Sequence, residues 1–509
     1  MRFLFSLAAV AALTVGTPAS AAWNVAQSKH FVIYADDNPK RLTEFATQLE
    51  RFDQAVRFAT RMDDPDIGDG NRLTVFVMPT EKDVRSIMGD KTGFFAGFYT
   101  GRVAGSLAYV PKRPDNPNMP DQNAIFFHEY THHLMKQDLG RPYPEWYVEG
   151  FAEFFSTPKF DRDGSVWLGR VVQGRAYGLF EGPQLPLQAL FNGMHSGMTN
   201  AQRDVFYGRS WLLAHYLLME DKRHGQLATY LTAMSSGGSS MEAARQAFGD
   251  VNQLDKELNA YRTKPLFQLK IGGNSIHLQP ISVSGLSAGA SEIILARARI
   301  KYGVKPEEGE ALAAQVRAVE RRFLGDELVE ATLAEAELNS DHSQAAEAAA
   351  DRALKADPRN TEAMVLKGRA IAGRAAEAAE TNRHLLFEQA RQALIAANKL
   401  DTEDPEPLYE FYRTFVREGV RPNANALAAL HYASDLAPQD LGVRLNSAIA
   451  YLNEGKPSEA RATLTVVAYS PHVEEMGDLA RRMIADIDAG NVKAALNELE
   501  RGPAKGSTH

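Results

Sequence analysis

The sequence predicts two parts of different fold class: an α+β domain, followed by an all-α domain built from helical repeats. Strand-like and helix-like segments alternate over residues 23–120, as expected for a sheet packed against helices. From residue 291 onward the chain is rich in alanine, almost wholly helical in pattern, and repetitive. Glycines and prolines interrupt the helical pattern between these parts, so we expect domains over 23–265 and 291–500 with a junction over 266–290.

Residues 1–22 have the pattern of a secretory signal peptide. A positively charged start precedes an apolar run over residues 3–15, and small residues then form an A-x-A-like cleavage site. The run is too short for a membrane span, and no later segment of the sequence approaches one. We therefore expect cleavage after Ala21 or Ala22 and an exported protein, periplasmic or extracellular; the alternative is a buried N-terminal helix.

The composition excludes several classes of function. The 509 residues contain no cysteine, which rules out disulfides, thiol catalysis and thiolate metal ligands. The formal net charge of −8 argues against a nucleic-acid partner, which would favour a basic face. A hydrophobic share of 44% is ordinary for globular proteins, and a chain of this length can bury large cores without disulfides.

The predicted elements of the α+β domain follow its hydrophobic periodicity. Segments rich in β-branched and aromatic residues predict three strands, at 29–35, 72–78 and 106–111. A helix from about 39 to 61 carries apolar residues at helical spacing. Thr80 is suited to cap a further short helix that runs through Met88.

A histidine pair in the middle of this domain is the first pattern that indicates a metal-binding or catalytic site. The pentapeptide His128-Glu129-Tyr130-Thr131-His132 lies in a segment, 123–137, with the composition of a helix. Histidines four apart lie on one helical face and can reach a single cation, and Glu129 is placed to take a proton from a metal-bound water. His133 points about 100° away from His132 and is not expected to be a ligand. Alone, the pentapeptide pattern also occurs by chance on surface helices.

A second segment supplies a possible third metal ligand, which the pentapeptide lacks. Residues 144–155 begin with a proline suited to a first helical turn, and they place Glu149 and Glu153 on one face of an otherwise apolar helix. Two carboxylates on so apolar a helix are costly without a cation or a hydrogen-bonding partner. Catalytic zinc usually keeps three protein ligands and leaves the fourth position to water. Together the two segments predict a zinc site whose third ligand comes from the second helix.

H-E-x-x-H followed by E-G-x-A-E resembles the gluzincin metallopeptidases, the thermolysin and aminopeptidase group, and more narrowly the bacterial peptidase-MA-like proteins of the DUF1570 type. The resemblance covers roughly residues 25–265. It implies a zincin-like metallopeptidase domain with Glu129 as the general base and three Zn²⁺ ligands, His128, His132 and Glu149. Glu153 falls where such enzymes hold a carboxylate that orients a ligand histidine from behind. The gap between the second and third ligands is a little shorter than in the aminopeptidases, so the connecting loop differs.

The same resemblance implies two features on the substrate side. Residues 104–110 would form an edge strand that pairs with an extended peptide, although a plain structural strand explains the same pattern. Asp204–Trp211 opens an apolar helix that resembles the tyrosine-bearing helix start of these peptidases. Tyr207 is then the expected hydrogen-bond donor to the oxyanion, with Arg209 and Tyr216 as alternatives, whereas a tyrosine of the core would explain the same pattern without a function.

The all-α domain repeats an alanine–proline pattern. Ala346, Ala353 and Pro358 recur with the same spacing as Ala426, Ala433 and Pro438. Two looser copies follow, one at Ala390, Ala397 and Pro405 and one at Ala460, Val467 and Pro471. Small residues let paired helices approach closely, and the proline ends the second helix. The pattern resembles tetratricopeptide repeats (TPR), whose concave face would bind a protein or peptide; an irregular helical bundle is the alternative.

These observations predict an exported zinc-dependent peptidase that hydrolyses a peptide or protein substrate, joined to a TPR-like domain that binds a further protein. No motif that would hold a free substrate amino terminus precedes the zinc helix, which favours an endopeptidase. Two alternatives remain: a non-catalytic zinc-fold scaffold whose repeats recruit a partner, and a zinc hydrolase acting on a non-peptide amide of the cell envelope. The last residues, 501–509, are expected to form a disordered tail.

Overall fold

A computed structural model of the chain describes residues 23–88, 97–112, 122–137, 143–171, 179–182, 185–193, 198–236, 239–470 and 474–501. The predicted signal peptide and nearly all of the predicted tail lie outside these residues. Within the described ranges, no helix is both long enough and apolar enough to cross a membrane.

The strands of the described chain fall into two sheets. In chain order they are β1 (Asn24–Gln27), β2 (Phe31–Ala35), β3 (Leu73–Met78), β4 (Phe98–Thr100), β5 (Leu107–Pro111), β6 (Lys159–Phe160), β7 (Val166–Leu168), β8 (Leu269–Ile271) and β9 (Ser282–Gly285). A six-stranded mixed sheet has the order β4-β5-β3-β2-β1-β9, with β2, β3 and β5 parallel to one another. The strands β6, β7 and β8 form a small antiparallel sheet.

The strand β5 lies inside the large sheet. It pairs with β3 on one side, and Leu107 to Tyr109 pair with β4 on the other. The interpretation of residues 104–110 as a free edge for substrate is therefore wrong, because an antiparallel strand covers that edge. Among the described strands, β4 is the outermost on this side of the sheet.

The segment expected to be a junction contributes two strands to the sheets. β8 pairs with β7, and β9 pairs with β1 over its full length. Residues 266–290 therefore complete both sheets of the N-terminal part.

The described helices divide at residue 288. Those of the N-terminal part are α1 (Pro39–Thr60), α2 (Glu81–Met88), α3 (Gln122–Gln137), α4 (Glu145–Phe155), α5 (Leu187–Phe191), α6 (Asn200–Met219), α7 (Gln226–Ser235), α8 (Ser240–Phe248) and α9 (Val251–Tyr261). Those of the C-terminal part are α10 (Ala288–Tyr302), α11 (Pro306–Glu320), α12 (Glu327–Leu338), α13 (Ser343–Ala356), α14 (Thr361–Glu377), α15 (Glu380–Leu400), α16 (Pro405–Glu418), α17 (Ala424–Leu436), α18 (Leu441–Asn453), α19 (Pro457–Ala468), α20 (Glu474–Asp488) and α21 (Val492–Arg501).

The C-terminal helices form an ordered array. Each helix packs on the next in sequence, and α10, α12, α14 and α16 also contact one another in turn, so they form one layer of the array. The predicted small positions of the repeats lie on α13, α15, α17 and α19, and all of them are fully buried: Ala346, Ala353, Ala390, Ala397, Ala426, Ala433, Ala460 and Val467. The prediction of a sheet-containing N-terminal part followed by an all-helical, repeat-like part is confirmed.

The helical array packs directly against the large sheet. α1 and α3 cover one face of the sheet, and α2 and α10 cover the other, where Ile294 and Ala298 join the same core as Phe76. The hydroxyl of Tyr109 in β5 donates a hydrogen bond of 2.8 Å to the carbonyl of Ala298. The layer that begins with α10 is thus partly covered by the protein's own sheet.

Two loops of the N-terminal part form hydrogen bonds to the array further along its length. Asn71 donates from its amide to the carbonyls of Glu403 (3.0 Å) and Leu436 (3.1 Å). The backbone N–H of Val103 donates to the carboxylate of Asp440 at 2.8 Å. A side chain at Gly70 would place its Cβ 2.5 Å from the carboxylate carbon of Asp404, so glycine is what allows this loop to approach the array.

Candidate metal centre

The pentapeptide histidines lie on one face of α3, as their spacing predicts. The rings of His128 and His132 are nearly perpendicular, with centroids 4.7 Å apart, and their Nε2 atoms approach to 3.1 Å. His132 is buried, whereas His128 keeps 14% of its side chain exposed. The two nitrogens therefore converge on one point near the surface of the helix.

Glu149 completes the group from the facing helix, α4. Its Oε2 atom lies 3.4 Å from Nε2 of His128 and 3.7 Å from Nε2 of His132, and the residue is fully buried. A tetrahedral zinc site with ligand bonds of about 2.0–2.2 Å separates its donor atoms by roughly 3.3–3.6 Å. The three donor atoms thus fit the spacing and the donor chemistry of such a site.

A close approach of two helices sets the position of Glu149. Its neighbour Gly150 faces α6, where a Cβ would overlap the backbone carbonyl of Ser210. Trp146, one turn earlier, is fully buried and donates from its indole to the hydroxyl of Tyr230 at 3.0 Å. The glycine of E-G-x-A-E is therefore required by packing, and it brings the ligand helix and α6 into backbone contact beside the site.

Glu153 and Glu129, the other carboxylates of the two motifs, also act on His128. Oε1 of Glu153, a residue with 2% exposure, lies 3.6 Å from Nδ1 of His128, on the side of the ring away from Glu149. Burial acts to lower the pKa of His128, but the hydrogen bond with Glu149 and the charges of Glu153 and Glu129 outweigh it and raise the pKa to about 9. The pocket thus favours a positive charge at this point, whether a proton or a cation.

Tyr207 lies near the histidines, although its helix begins earlier than expected. α6 starts at Asn200, because Thr199 and Gln202 form a capping box, so the prediction of a start at Asp204 is wrong. The ring of Tyr207 is 6.3 Å from that of His128. The two alternative candidates for the oxyanion donor, Arg209 and Tyr216, contact other residues.

Arg209 and Tyr216 are both engaged with α9. Arg209 contacts Asp255 and Asn259, and the hydroxyl of Tyr216 donates to Glu257 at 2.7 Å. Of the three candidates for the oxyanion donor, Tyr207 is the one that the structure places beside His128.

A hydrogen-bond chain that the sequence interpretation missed supports α3 from behind. Arg57 donates to Oε1 of Gln137 (2.9 Å), which orients the amide so that its nitrogen donates to Nε2 of His133 (3.1 Å). Nδ1 of His133 then donates to the hydroxyl of Tyr99 at 2.8 Å. Burial, with the charges of Arg57 and Lys136, lowers the pKa of His133 to about 3. As predicted, His133 points away from the metal group; its i, i+4 spacing to Gln137 was the available signal for this second face.

A second group of possible ligands, His30, Asp53 and Asp64, is already supplied with protein cations. Arg57 lies 2.9 Å from Asp53, and Lys29 lies 2.6 Å from Asp64. Tyr130 of α3 also donates to Asp53 at 2.7 Å. This group is an ion-pair cluster that anchors α1 to α3, and it does not fit a metal site.

Comparisons with known proteins add little to this description. No protein-family model and no curated protein matches the chain. Among solved structures, the chain is similar to the crystal structure of a thermophilic TPR protein in Thermus thermophilus, with 18% identity and a TM-score of 0.33, over 40% of this chain and 100% of that chain. A likeness at this score carries no argument, so the repeat-like character of the array is judged from its own helix order and buried alanines.

Proposed function

We propose that the chain is an exported zinc-dependent peptidase with a zincin-like N-terminal domain of gluzincin type. The observation that carries the proposal is the convergence of three donor atoms from His128, His132 and Glu149, with 3.1–3.7 Å between them. Glu129 follows His128 directly in the chain, and its charge acts on that histidine. Imidazole nitrogens and a carboxylate are a donor set that suits zinc. Export is proposed from the signal-peptide pattern of residues 1–22.

In this proposal each residue has a separate task. His128, His132 and Glu149 would hold zinc, and Glu153 would fix the orientation of the His128 ring through its Nδ1 side. When bound, zinc lowers the pKa of a water and polarises a carbonyl oxygen. Glu129 accepts the proton of the attacking water and returns it to the leaving amine. Tyr207 donates a hydrogen bond where negative charge develops on the carbonyl oxygen.

Zinc content distinguishes this centre from a purely structural histidine pair. We expect near-stoichiometric zinc by elemental mass spectrometry in the purified mature protein, and a sharp loss in Glu149→Ala. His132→Gln and His133→Gln form a matched pair of neighbours: the first removes a proposed ligand, whereas the second removes the contacts of His133 to Tyr99, Gln137 and the ring of Tyr130. Little zinc in a well-folded parent, or equal zinc in the two histidine variants, would contradict the proposal.

Hydrolysis of a peptide library tests the catalytic roles. Glu129→Gln should retain zinc and lose cleavage, since the amide cannot take the proton. Tyr207→Phe should lower kcat by about 10²–10³ with little change in zinc content, the cost of one lost oxyanion donor. A zinc-loaded parent that cleaves no peptide, but whose Glu129→Gln variant binds partners as well as the parent does, would favour the scaffold. Release of amide fragments from cell envelope preparations would favour the non-peptide hydrolase.

A further inference from the structure

A cleft of 550 Å³ lies between the sheet-containing part and the helical array. One wall is formed by the C-terminal end of α1, the loop over residues 61–71 and the end of α3. The other wall is formed by Glu403 and by residues 435–439 of the array. Ligand sites commonly have volumes of about 300–1,000 Å³ and often lie at domain interfaces.

The charges that line this cleft are predominantly negative. Four carboxylates line it, from Asp63, Asp66, Glu403 and Asp435, together with two guanidinium groups, from Arg57 and Arg61. Arg57 is already engaged, because it contacts Asp53 and donates to Gln137. Burial raises the pKa of Asp435, with Arg444 and His431 acting in the opposite direction, so a further cation beside it would favour its charged form. A positively charged group is therefore the ligand that the lining favours.

A buried amide also faces this space. Gln439 lines the cleft and is only 7% exposed, and its stem packs against Gly101. Its amide makes no hydrogen bond to the residues that the structure describes. A side-chain amide offers both donors and an acceptor, which is the complement of a peptide backbone.

The cleft reaches the helix that carries the candidate metal centre. His133 and Gln137 line it; His133 follows the proposed ligand His132 directly in the chain, and Gln137 lies one turn further along α3. The cleft and the candidate metal centre therefore share one helix, α3.

We propose that the interdomain cleft binds the side chain of a lysine or arginine in the peptide substrate, so that the helical array contributes directly to substrate choice. Calling the ligand a substrate rests on the proposed peptidase function, whereas binding at the cleft does not. The carboxylates of Glu403 and Asp435 contact the cation, and the amide of Gln439 contacts the peptide backbone.

A substitution at Arg61 should change the affinity for a basic peptide in the opposite direction. It ends α1 in the left-handed conformation, with φ of 58°, at a position where glycine is common. Arg61→Gly removes a like charge from the cleft and suits the backbone, so it should tighten the binding of a basic peptide while the fold is retained.

The test measures binding in the full chain carrying Glu129→Gln, which prevents cleavage. The probes are a fluorescent lysine-rich peptide, a glutamate-rich peptide of equal length, and spermidine as a competitor without a peptide backbone. We expect the double change Glu403→Gln with Asp435→Asn to weaken the lysine-rich peptide about tenfold, as for two lost ion pairs at a partly exposed site. Asp351→Asn with Glu377→Gln is the matched control, since it removes the same charges from positions of the array outside the cleft.

Several outcomes would overturn the proposal: equal binding of both peptides, an unchanged affinity in the cleft double variant, or a loss of the same size in the control. Cleft-dependent binding of spermidine without cleft-dependent binding of the peptide would also overturn it. If the parent holds no zinc and cleaves nothing, but the cleft variants still bind as expected, the peptidase proposal fails and the cleft remains a site for a cationic peptide.

Discussion

The sheet-containing part and the helical array have hydrophobic cores of different composition. Around the large sheet the core is aromatic, with rings such as Phe31, Phe52, Phe126, Tyr130 and Trp146. In the array the core is largely alanine, as at Ala331, Ala334, Ala349, Ala350 and Ala353. Large rings fill irregular spaces between unlike elements, whereas small residues let similar helices approach at a repeated distance. The candidate metal centre lies in the irregular part, so its geometry depends on a few contacts of its own and on no repeated pattern of packing.

Removing a ring from the aromatic core should have the largest effect. Phe154 is 1% exposed and packs against the rings of Phe155 and His215, immediately after the ligand segment. We expect Phe154→Ala to lower the free energy of unfolding by about 3–5 kcal/mol, measured by urea denaturation. Phe58→Ala is the control, because Phe58 is 56% exposed and its loss should cost little. Equal costs at the two sites would contradict the role assigned to this core.

Adding one carbon where α4 meets α6 should cost nearly as much. A Cβ at Gly150 overlaps the backbone of Ser210, which cannot move without separating the helices. Gly150→Ala should therefore lower the free energy of unfolding by about 3 kcal/mol and reduce zinc content with it. Gly477→Ala is the control within a helix, since its Cβ would meet its nearest neighbour at an ordinary 3.4 Å. A stable, zinc-loaded Gly150→Ala protein would show that this contact does not position the ligand.

The two parts should also lose stability in different pH ranges. In the sheet part, burial acts to lower the pKa of His30, but hydrogen bonds with Asp64 and Glu50 and the charge of Asp53 raise it to about 9. Its stabilisation is fully present below pH 6.5, the ordinary value, and is lost as the pH rises through 9; it amounts to at most about 3 kcal/mol. In the array, burial raises the pKa of Glu406 to about 8, so its contribution to stability is present below pH 4.5 and is lost as the pH rises through 8.

Urea unfolding between pH 5 and 10 checks this difference when His30→Gln and Glu406→Gln are compared with the parent. The His30 variant should have a flatter profile above pH 6.5, and the Glu406 variant a flatter one below pH 8. Profiles parallel to that of the parent would show that these groups do not titrate with folding.

Overpacking the alanine core should have a smaller effect. Ala353 is fully buried at a repeat position, and Ala353→Leu should cost about 1–3 kcal/mol because α13 must shift against its neighbours. Ala376→Leu, at an exposed position of α14, is the control. If both changes leave the thermal midpoint unchanged, the array is packed more loosely than its buried alanines indicate.

Loosening a contact between the two parts should have the smallest effect. One carboxylate oxygen of Asp440 caps α18 through the N–H of Val443, and the other accepts from Val103. Asp440→Asn keeps the cap but puts an amide group against the N–H of Val103, for a cost of about 1 kcal/mol. Asp250→Asn, a cap without such a second contact, should cost less. We expect the Asp440 variant to separate the unfolding transitions of the two parts in calorimetry; a single unchanged transition would contradict this.

The sequence predicts most accurately what depends on local spacing. His128 and His132 share a face because four residues make about one turn, and the buried repeat positions of the array follow from one recurring pattern. The start of α6 could also be predicted, because Thr199 and Gln202 have capping-box spacing, but the polar residues that follow obscure it. The covering of β5 by β4, the pairing of β9 with β1 and the overlap of Gly150 with Ser210 depend on the folded arrangement, and no local pattern indicates them.

Because β1 pairs with β9, the large sheet is completed only late in the synthesis of the chain. β1 begins the described chain, and one of its edges is filled by a strand that is synthesised only after every residue of the candidate metal centre. Until Gly285 is available, β1 offers unpaired backbone groups that another chain could pair with. Nascent or truncated chains that stop short of this strand therefore carry the hazard of aggregation, and the arrival of β9 satisfies the backbone groups along this edge of β1.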